Sequence, residues 1–183
     1  MNEQHTPYDS PWTLQQRLAM LAWEACWAIL CAWTPKPLNP WRLLVLRVFG
    51  AQLHGYPFVH QRARIAIPWN IILHDRATIG DRANLYSLTT IELGPRAIVA
   101  QEAYLCTGTH ALDDPALALQ VAPIRIGADA FIGARAFLMP GINVGPHAVI
   151  GACAVVTKDV LESQRVAGNP ARPFGSPAPT PAS

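Results

Sequence analysis

The sequence predicts a mainly β fold in which the chain winds into stacked coils, preceded by α-helices. Three observations carry that prediction. An aliphatic residue recurs at every sixth position over two long blocks, a small residue recurs four places after it, and the first 50 residues follow a helical spacing instead.

The most apolar stretch, Leu18 to Trp33, is 16 residues long with Glu24 near its middle. That is short of the ~20 residues a spanning helix needs. A polar, proline-containing segment precedes it and no small-x-small cleavage motif follows, so it makes a poor signal peptide. It reads as a helix lying on a surface. Leu14, Leu18 and Leu21, and Trp23, Trp27 and Leu30, keep helical spacing but occupy much of the circumference, so both protein docking and membrane-interface contact fit it. The proline-rich segment Thr34 to Pro40 breaks this helix. Asn39-Pro40 is expected to cap a second one carrying Trp41, Leu44, Val45, Val48 and Phe49, with Gly50 ending it.

Residues 51–174 carry the repeat. Six consecutive hexads begin at Ile126, Ile132, Leu138, Val144, Ile150 and Val156, and glycine follows the aliphatic residue in four of them. The same template stands upstream at Leu73, Ile79, Leu93 and Val99, and across the ten hexads the fifth position is Ala in eight and Ile or Val in the other two. On a helix, six steps of ~100° would turn successive aliphatic residues to different faces. In extended chain an even period keeps them on one side. Coils that bury their inner face only by stacking on the next coil satisfy this pattern, with glycine expected where the chain turns. Ten matches weigh against the alternative, an ordinary sandwich with chance periodicity. Gly175 to Ser183 reads as a loose tail.

Composition narrows the function. At 183 residues the chain holds one domain or at most two small ones. With 14 Lys and Arg against 12 Asp and Glu, no basic stripe is expected and nucleic acid is a poor partner. A hydrophobic fraction of 51% with 14% charged residues argues against disorder and suggests that partner subunits cover some surface. The four cysteines contain no C-x-x-C pair, which fits a reducing compartment without a zinc knuckle or disulfide framework.

The hexads stop after Tyr104 and resume at Ile126, leaving a loop over residues 106–123 that the solenoid does not require. It opens with Thr107-Gly108-Thr109-His110, where glycine permits close backbone approach and histidine exchanges a proton near neutral pH. His54, His60 and His74 fall in the early coils, His147 at an outward position, and His5 in the loose start.

Trp41-Arg42, Phe49-Gly50-Ala51, Pro68-Trp69-Asn70, the run Leu105 to His110, Pro140-Gly141, the runs Ile150 to Ala152 and Val156 to Asp159, and the run Ala167 to Pro170 together resemble the hexapeptide-repeat, left-handed β-helix acyltransferases. The resemblance extends from about Trp41 to Phe174 and is strongest to exopolysaccharide O-acetyltransferases of the colanic-acid type. It implies the left hand of the coil and direct acetyl transfer from acetyl-CoA to a hydroxyl of a saccharide, whether exopolysaccharide, lipopolysaccharide or precursor. His110 would be the general base. The amide of Ala134 would contact the thioester region, main-chain groups of Ala152 and Thr157 the pantetheine arm, and Lys158 and Arg172 the phosphates. Asn70, Asn84 and Tyr86 are the expected acceptor contacts. The resemblance further implies a homotrimer with each site between two subunits and helices capping the open end of the solenoid. It places the protein in the cytoplasm, and leaves open whether those helices also hold it at the inner face of the plasma membrane. Two positions depart from the pattern. Ala111 stands where related sequences commonly carry Asp, so the group that orients the imidazole is open, with Asp113 or Asp114 as one option and ordinary loop solvation of both as the other, and Ser87 stands where the subgroup often has Asn. A carbonic-anhydrase-like metalloenzyme on the same solenoid needs three histidine ligands. No second histidine accompanies His110 at short spacing, so no metal is expected. A non-catalytic scaffold is the remaining alternative.

Overall fold

The computed structural model describes residues 10–175. The expected loose tail beyond Gly175, and His5, lie outside the described residues. Helix α1 spans Leu14–Leu30, four residues ahead of the apolar run that announced it. A capping box sets that start: Gln16 N donates to Thr13 Oγ1 (3.3 Å) and Thr13 N donates to Gln16 Oε1 (2.9 Å). Trp23 and Trp27 turn inward, and Trp23 Nε1 donates to the Ile65 carbonyl at 2.7 Å.

Helix α2 spans Asn39–Val48, and here the expected cap is corrected. Leu38 occupies the N-cap and no side chain caps the helix. Asn39 is instead buried inside the first turn, where its Nδ2 donates to Pro57 O (2.9 Å) and its Oδ1 accepts from Val59 N (3.0 Å). A buried amide needs both functions satisfied, and the unpaired edge of the first coil supplies them. Arg42, fully buried, extends the same clamp: Nε donates to Val59 O (2.8 Å), Nη1 to Thr34 Oγ1 and Pro35 O (both 2.9 Å), and Nη2 to Lys36 O (3.2 Å). The helices thereby cover the edge at which the solenoid begins.

The solenoid has three faces of parallel strands. The first stacks Gln52–Leu53, Ile71–Leu73, Ile91–Leu93, Ile124–Ile126 and Asn143–Val144. The second stacks Phe58–Val59, Thr78–Ile79, Ile98–Val99, Phe131–Ile132, Val149–Ile150 and Arg165–Ala167, and an antiparallel Arg172–Pro173 closes it. The third stacks Arg64–Ile65, Asn84–Tyr86, Tyr104–Cys106, Phe137–Leu138 and Val155–Val156. Pairing aligns hexad with hexad, so Ile132 lies between Val99 and Ile150. The first residue of every hexad points into the core, and the fifth-position alanines fill its corners.

The structure corrects the expected role of glycine. The turning residue is the fourth of the hexad, with φ between 54° and 59° at Arg76, Arg82, Arg96, Glu102, Asp129, Arg135, His147 and Cys153. Left-handed backbone is disfavoured for such residues. It is held here because the amide of a corner residue donates to the preceding coil, as Arg135 N does to Gln101 O (3.1 Å) and Cys153 N to Ala134 O (2.8 Å). Second-position glycines answer a different need. A Cβ at Gly145 would lie 2.4 Å from Glu162 N, and one at Gly133 2.6 Å from Ala152 N, so glycine admits the backbone of the next coil. Corner side chains also pair across coils: Arg96 Nε and Nη2 reach the two carboxylate oxygens of Asp129 at 2.6 and 2.5 Å. Those hydrogen bonds hold the Asp129 carboxyl below its usual range.

Candidate active site

The loop over residues 106–123 is a β-arm. Strand Gly108–His110 pairs antiparallel with Leu119–Val121, joining His110 to Leu119 at the outer end. Its root is sealed by Thr107, whose buried hydroxyl donates to Tyr86 O (2.7 Å) and accepts from Thr89 N (3.2 Å). Gly108 then passes so close to Leu88 that a Cβ would meet its Cδ1 at 2.7 Å. The Thr-Gly-Thr-His run thus anchors, clears the coil and presents His110 to solvent.

His110 Nδ1 lies 2.6 Å from the Leu117 carbonyl oxygen. A carbonyl can only accept, so Nδ1 carries the hydrogen and Nε2 presents its lone pair outward. The orienting partner left open by the sequence is thus a main-chain carbonyl and neither Asp113 nor Asp114. Asp114 Oδ1 accepts from Ala116 N (2.8 Å) and shapes the tip, where Leu117 adopts φ 45°. Among the described residues no hydrogen bond or ion pair joins Asp113 to His110. A backbone oxygen takes the place of the carboxylate that Ala111 does not supply.

The expected cofactor residues fall into two groups. Thr157, Lys158 and Arg172 line one cavity of 350 Å³ at the C-terminal end of the solenoid, with Gln164 and Ala171. Ala134 and Ala152 stack instead at the corner between the second and third faces, and among the described residues neither amide meets a backbone acceptor. Neither alanine lines the cavity of Lys158, and His110 on its arm lines it no more than they do.

The expected acceptor contacts also separate. Asn70 sits in the short 3-10 turn Pro68–Asn70 and donates through Nδ2 to Ser87 O (2.9 Å) and Leu88 O (3.1 Å), tying two coils together. Ser87 is buried, its hydroxyl donating to Ile67 O and accepting from Ile67 N, both at 2.9 Å. Tyr86 is half-buried beside the arm, its ring 6.2 Å from that of Tyr104, which stacks on Phe137 at 5.1 Å. Burial pushes the Tyr104 phenol up from its ordinary value. Asn84 opens into a 480 Å³ cavity between α1 and the early coils that sequence reasoning missed. Trp23 and Trp27 form its aromatic wall, and Glu24, Gln61 and Arg64 stand around it. Trp27 Nε1 and Gln61 Oε1 are buried there without a hydrogen-bond partner. The only signal was the Trp pair at i and i+4 with Glu24 between them.

Among the described residues, no group of three or more His, Cys, Asp and Glu side chains is placed to hold a metal ion. His54 and His74 stack at 5.0 Å, and His74 Nε2 lies 3.0 Å from Glu92 Oε1, which makes them part of a polar ladder on the first face.

Parallel triangular coils in six-residue register, with a histidine-bearing arm, define the class of hexapeptide-repeat β-helix proteins. Residues 123–158 match the family of the bacterial transferase hexapeptide (six repeats). Over 149 residues the chain is 35% identical to the putative colanic acid biosynthesis acetyltransferase WcaF of Escherichia coli (strain K12), covering 81% of this chain and 82% of that protein. The chain belongs to the hexapeptide-repeat acetyltransferase family. A maltose O-acetyltransferase from Clostridium difficile 630 superposes with a TM-score of 0.73 at 26% identity, over 89% of this chain and 90% of that one. A hexapeptide-repeat acetyltransferase from Vibrio cholerae O1 biovar eltor, complexed with acetyl coenzyme A, shares the fold with a TM-score of 0.81 at 19% identity, over 94% of both chains.

Proposed function

We propose that this acetyltransferase moves the acetyl group of acetyl-CoA onto a hydroxyl of a saccharide belonging to an exopolysaccharide, a lipopolysaccharide or a precursor of either. The observation that carries the reading is the hydrogen bond from His110 Nδ1 to Leu117 O, which leaves Nε2 as an exposed base. Nε2 takes the proton of the sugar hydroxyl while its oxygen attacks the thioester carbonyl. The tetrahedral oxyanion is met by a backbone amide, for which Ala134 is the candidate. Collapse breaks the carbon–sulfur bond, and the imidazolium returns its proton to the departing thiolate. No acyl-enzyme forms, and the work of the protein is to hold both substrates in line.

The adenosine phosphates fit the cavity of Lys158 and Arg172, two cationic donors lining one cleft. Ala152 and Thr157 supply main-chain contacts to the pantetheine arm. Relatives named for colanic acid biosynthesis and for maltose O-acetylation support a saccharide acceptor. The cavity between α1 and Asn84 is the candidate acceptor pocket, with Asn84, Arg64 and Glu24 at its opening for sugar hydroxyls. Tyr86 lies between this cavity and the arm. The separation of His110 from Lys158 within one chain supports a homotrimer in which the arm of one subunit faces cofactor held by its neighbour. Outward positions differ in emphasis: the first face carries Gln52, Glu92, Arg125 and Asn143 with Ile72 among them, whereas apolar runs lie on the second face at Ile98, Phe131 and Val149, between Thr78 and Arg165, and on the third at Tyr104, Phe137 and Val155, after Arg64 and Asn84. The setting is the cytoplasm, at the inner face of the plasma membrane.

Thiol release from acetyl-CoA, measured against a panel of bacterial surface glycans, tests the reading. His110→Ala should keep the assembly and lower turnover by ~10²-fold or more. Lys158→Ala or Arg172→Ala should raise KM for acetyl-CoA more than KM for the glycan. Unchanged turnover in the first variant removes the base, and the opposite KM pattern removes the phosphate site.

A further inference from the structure

Exposed large hydrophobic side chains concentrate on the N-terminal helices. Of the 18 among the described residues, 10 lie between Leu14 and Val48. On α1, Leu14, Leu18, Leu21 and Ile29 are exposed and share the side opposite Trp23 and Trp27. This explains why apolar residues occupy much of the helix circumference: one face packs on the solenoid and the other has no partner within the chain. On α2, Leu44 and Val48 continue the exposed apolar surface. Trp33 and Trp41, 71% and 41% exposed, stand where the two helices meet. Their indole nitrogens donate to Ile29 O (2.6 Å) and Leu30 O (3.0 Å), so each ring can enter an apolar medium without stranding its N–H. Trp41 also ties α2 to the C-terminal end of α1.

The charges around this surface are mostly basic. Three exposed cations, Arg17, Lys36 and Arg47, stand against one exposed carboxylate, Glu24, which follows Arg17 at i+7 on the flank of α1 and borders the cavity against the solenoid, so the net sign is positive. Apolar side chains with tryptophans at the border and cations around them match an interface of acyl chains and anionic headgroups. A second copy of this surface fits less well, since a self-complementary contact would gather three cations and only one carboxylate from each copy into the same interface. No helix among the described residues is long and apolar enough to cross a membrane. A 17-residue α1 that turns its outer face to lipid would lie along the surface.

We infer that the outer face of the two N-terminal helices is a docking surface for an anionic phospholipid bilayer. Docking would confine the enzyme to acceptors presented at that surface, and it involves none of the residues assigned to catalysis or acetyl-CoA.

Co-sedimentation of the full-length protein with phosphatidylcholine vesicles, with and without about 30 mol% phosphatidylglycerol, tests this. The protein should pellet with the anionic vesicles and lose binding as salt rises to about 0.5 M. Leu18→Glu with Ile29→Glu should weaken pelleting on the order of tenfold or more. Lys36→Glu with Arg47→Glu, which leaves the apolar positions intact, should do the same. Both variants should retain oligomeric state and thiol release with a soluble glycan. Wild-type protein that fails to pellet, variants that pellet equally well, or an assembly that dissociates when Leu18 and Ile29 are charged would each overturn the inference. The last result would assign the face to another copy of the chain. The readout is independent of acetyl transfer, so its failure leaves the proposed activity standing, and the reverse.

Discussion

The imidazole of His110 is aimed by a peptide carbonyl, so the chemistry at this position depends on the backbone of the arm tip more than on any neighbouring side chain. Asp113 and Asp114 should then behave differently. Asp113→Ala should leave turnover unchanged, whereas Asp114→Ala removes the acceptor for Ala116 N and loosens the turn that carries Leu117. A drop of roughly three- to tenfold in kcat, with KM for acetyl-CoA preserved, is the expected outcome, since a misaligned base loses only part of its contribution. Loss of activity in the Asp113 variant would assign the orienting role to a carboxylate after all. His110 was legible in the sequence because it opens a loop that interrupts a regular repeat and because the family resemblance puts a base at that position. Leu117 was not, because a carbonyl has no residue-type signature and any amino acid can supply one. Asn39 misled for a related reason: its type and place suit a helix cap, but the edge of a coil 18 residues away competes for the same amide and wins.

At the scale of one coil, the hexad divides labour among its positions. The aliphatic first residue fills the core, the alanine keeps the corner tight, and the fourth residue turns the chain in left-handed backbone whatever its side chain. Glycine at the second position makes room for the next coil. Gly145→Ala should accordingly destabilise by about 1–3 kcal/mol, because its Cβ would press on the backbone of Glu162 and not on a side chain able to move aside. Thermal or denaturant unfolding of the variant measures this, and unchanged stability would mean that adjacent coils yield more readily than their spacing suggests. The period, the inward residues and the alanine corners were all readable from the sequence, since an even repeat permits one arrangement of the aliphatic positions. The site of the turn was not. Its cause is an amide donating to the coil before, an interaction between chain segments that leaves no mark on residue type.

The solenoid as a whole carries a mostly polar ladder on its first face and runs of apolar outward residues along parts of the other two. The proposed trimer predicts that Phe131→Glu, at an exposed position on the second face, releases monomers. Those monomers should hydrolyse or transfer no acetyl-CoA even though His110 is intact; sedimentation equilibrium and the thiol assay read the two effects together. A trimer that survives the charge would place the subunit contact elsewhere. Which face meets a neighbour was not legible in the sequence, because the repeat constrains inward residues and leaves outward ones free. The arm carries one more consequence. Contacts between successive coils bridge 18 residues at His74 and Glu92, and 33 where the arm intervenes between Arg96 and Asp129. Closing a loop twice as long costs only about 0.6 kcal/mol more, less than a single well-made hydrogen bond returns. A segment grafted at that vertex can therefore be lengthened, trimmed or exchanged with little penalty to folding, which leaves substrate choice free to diverge while the underlying architecture stays put.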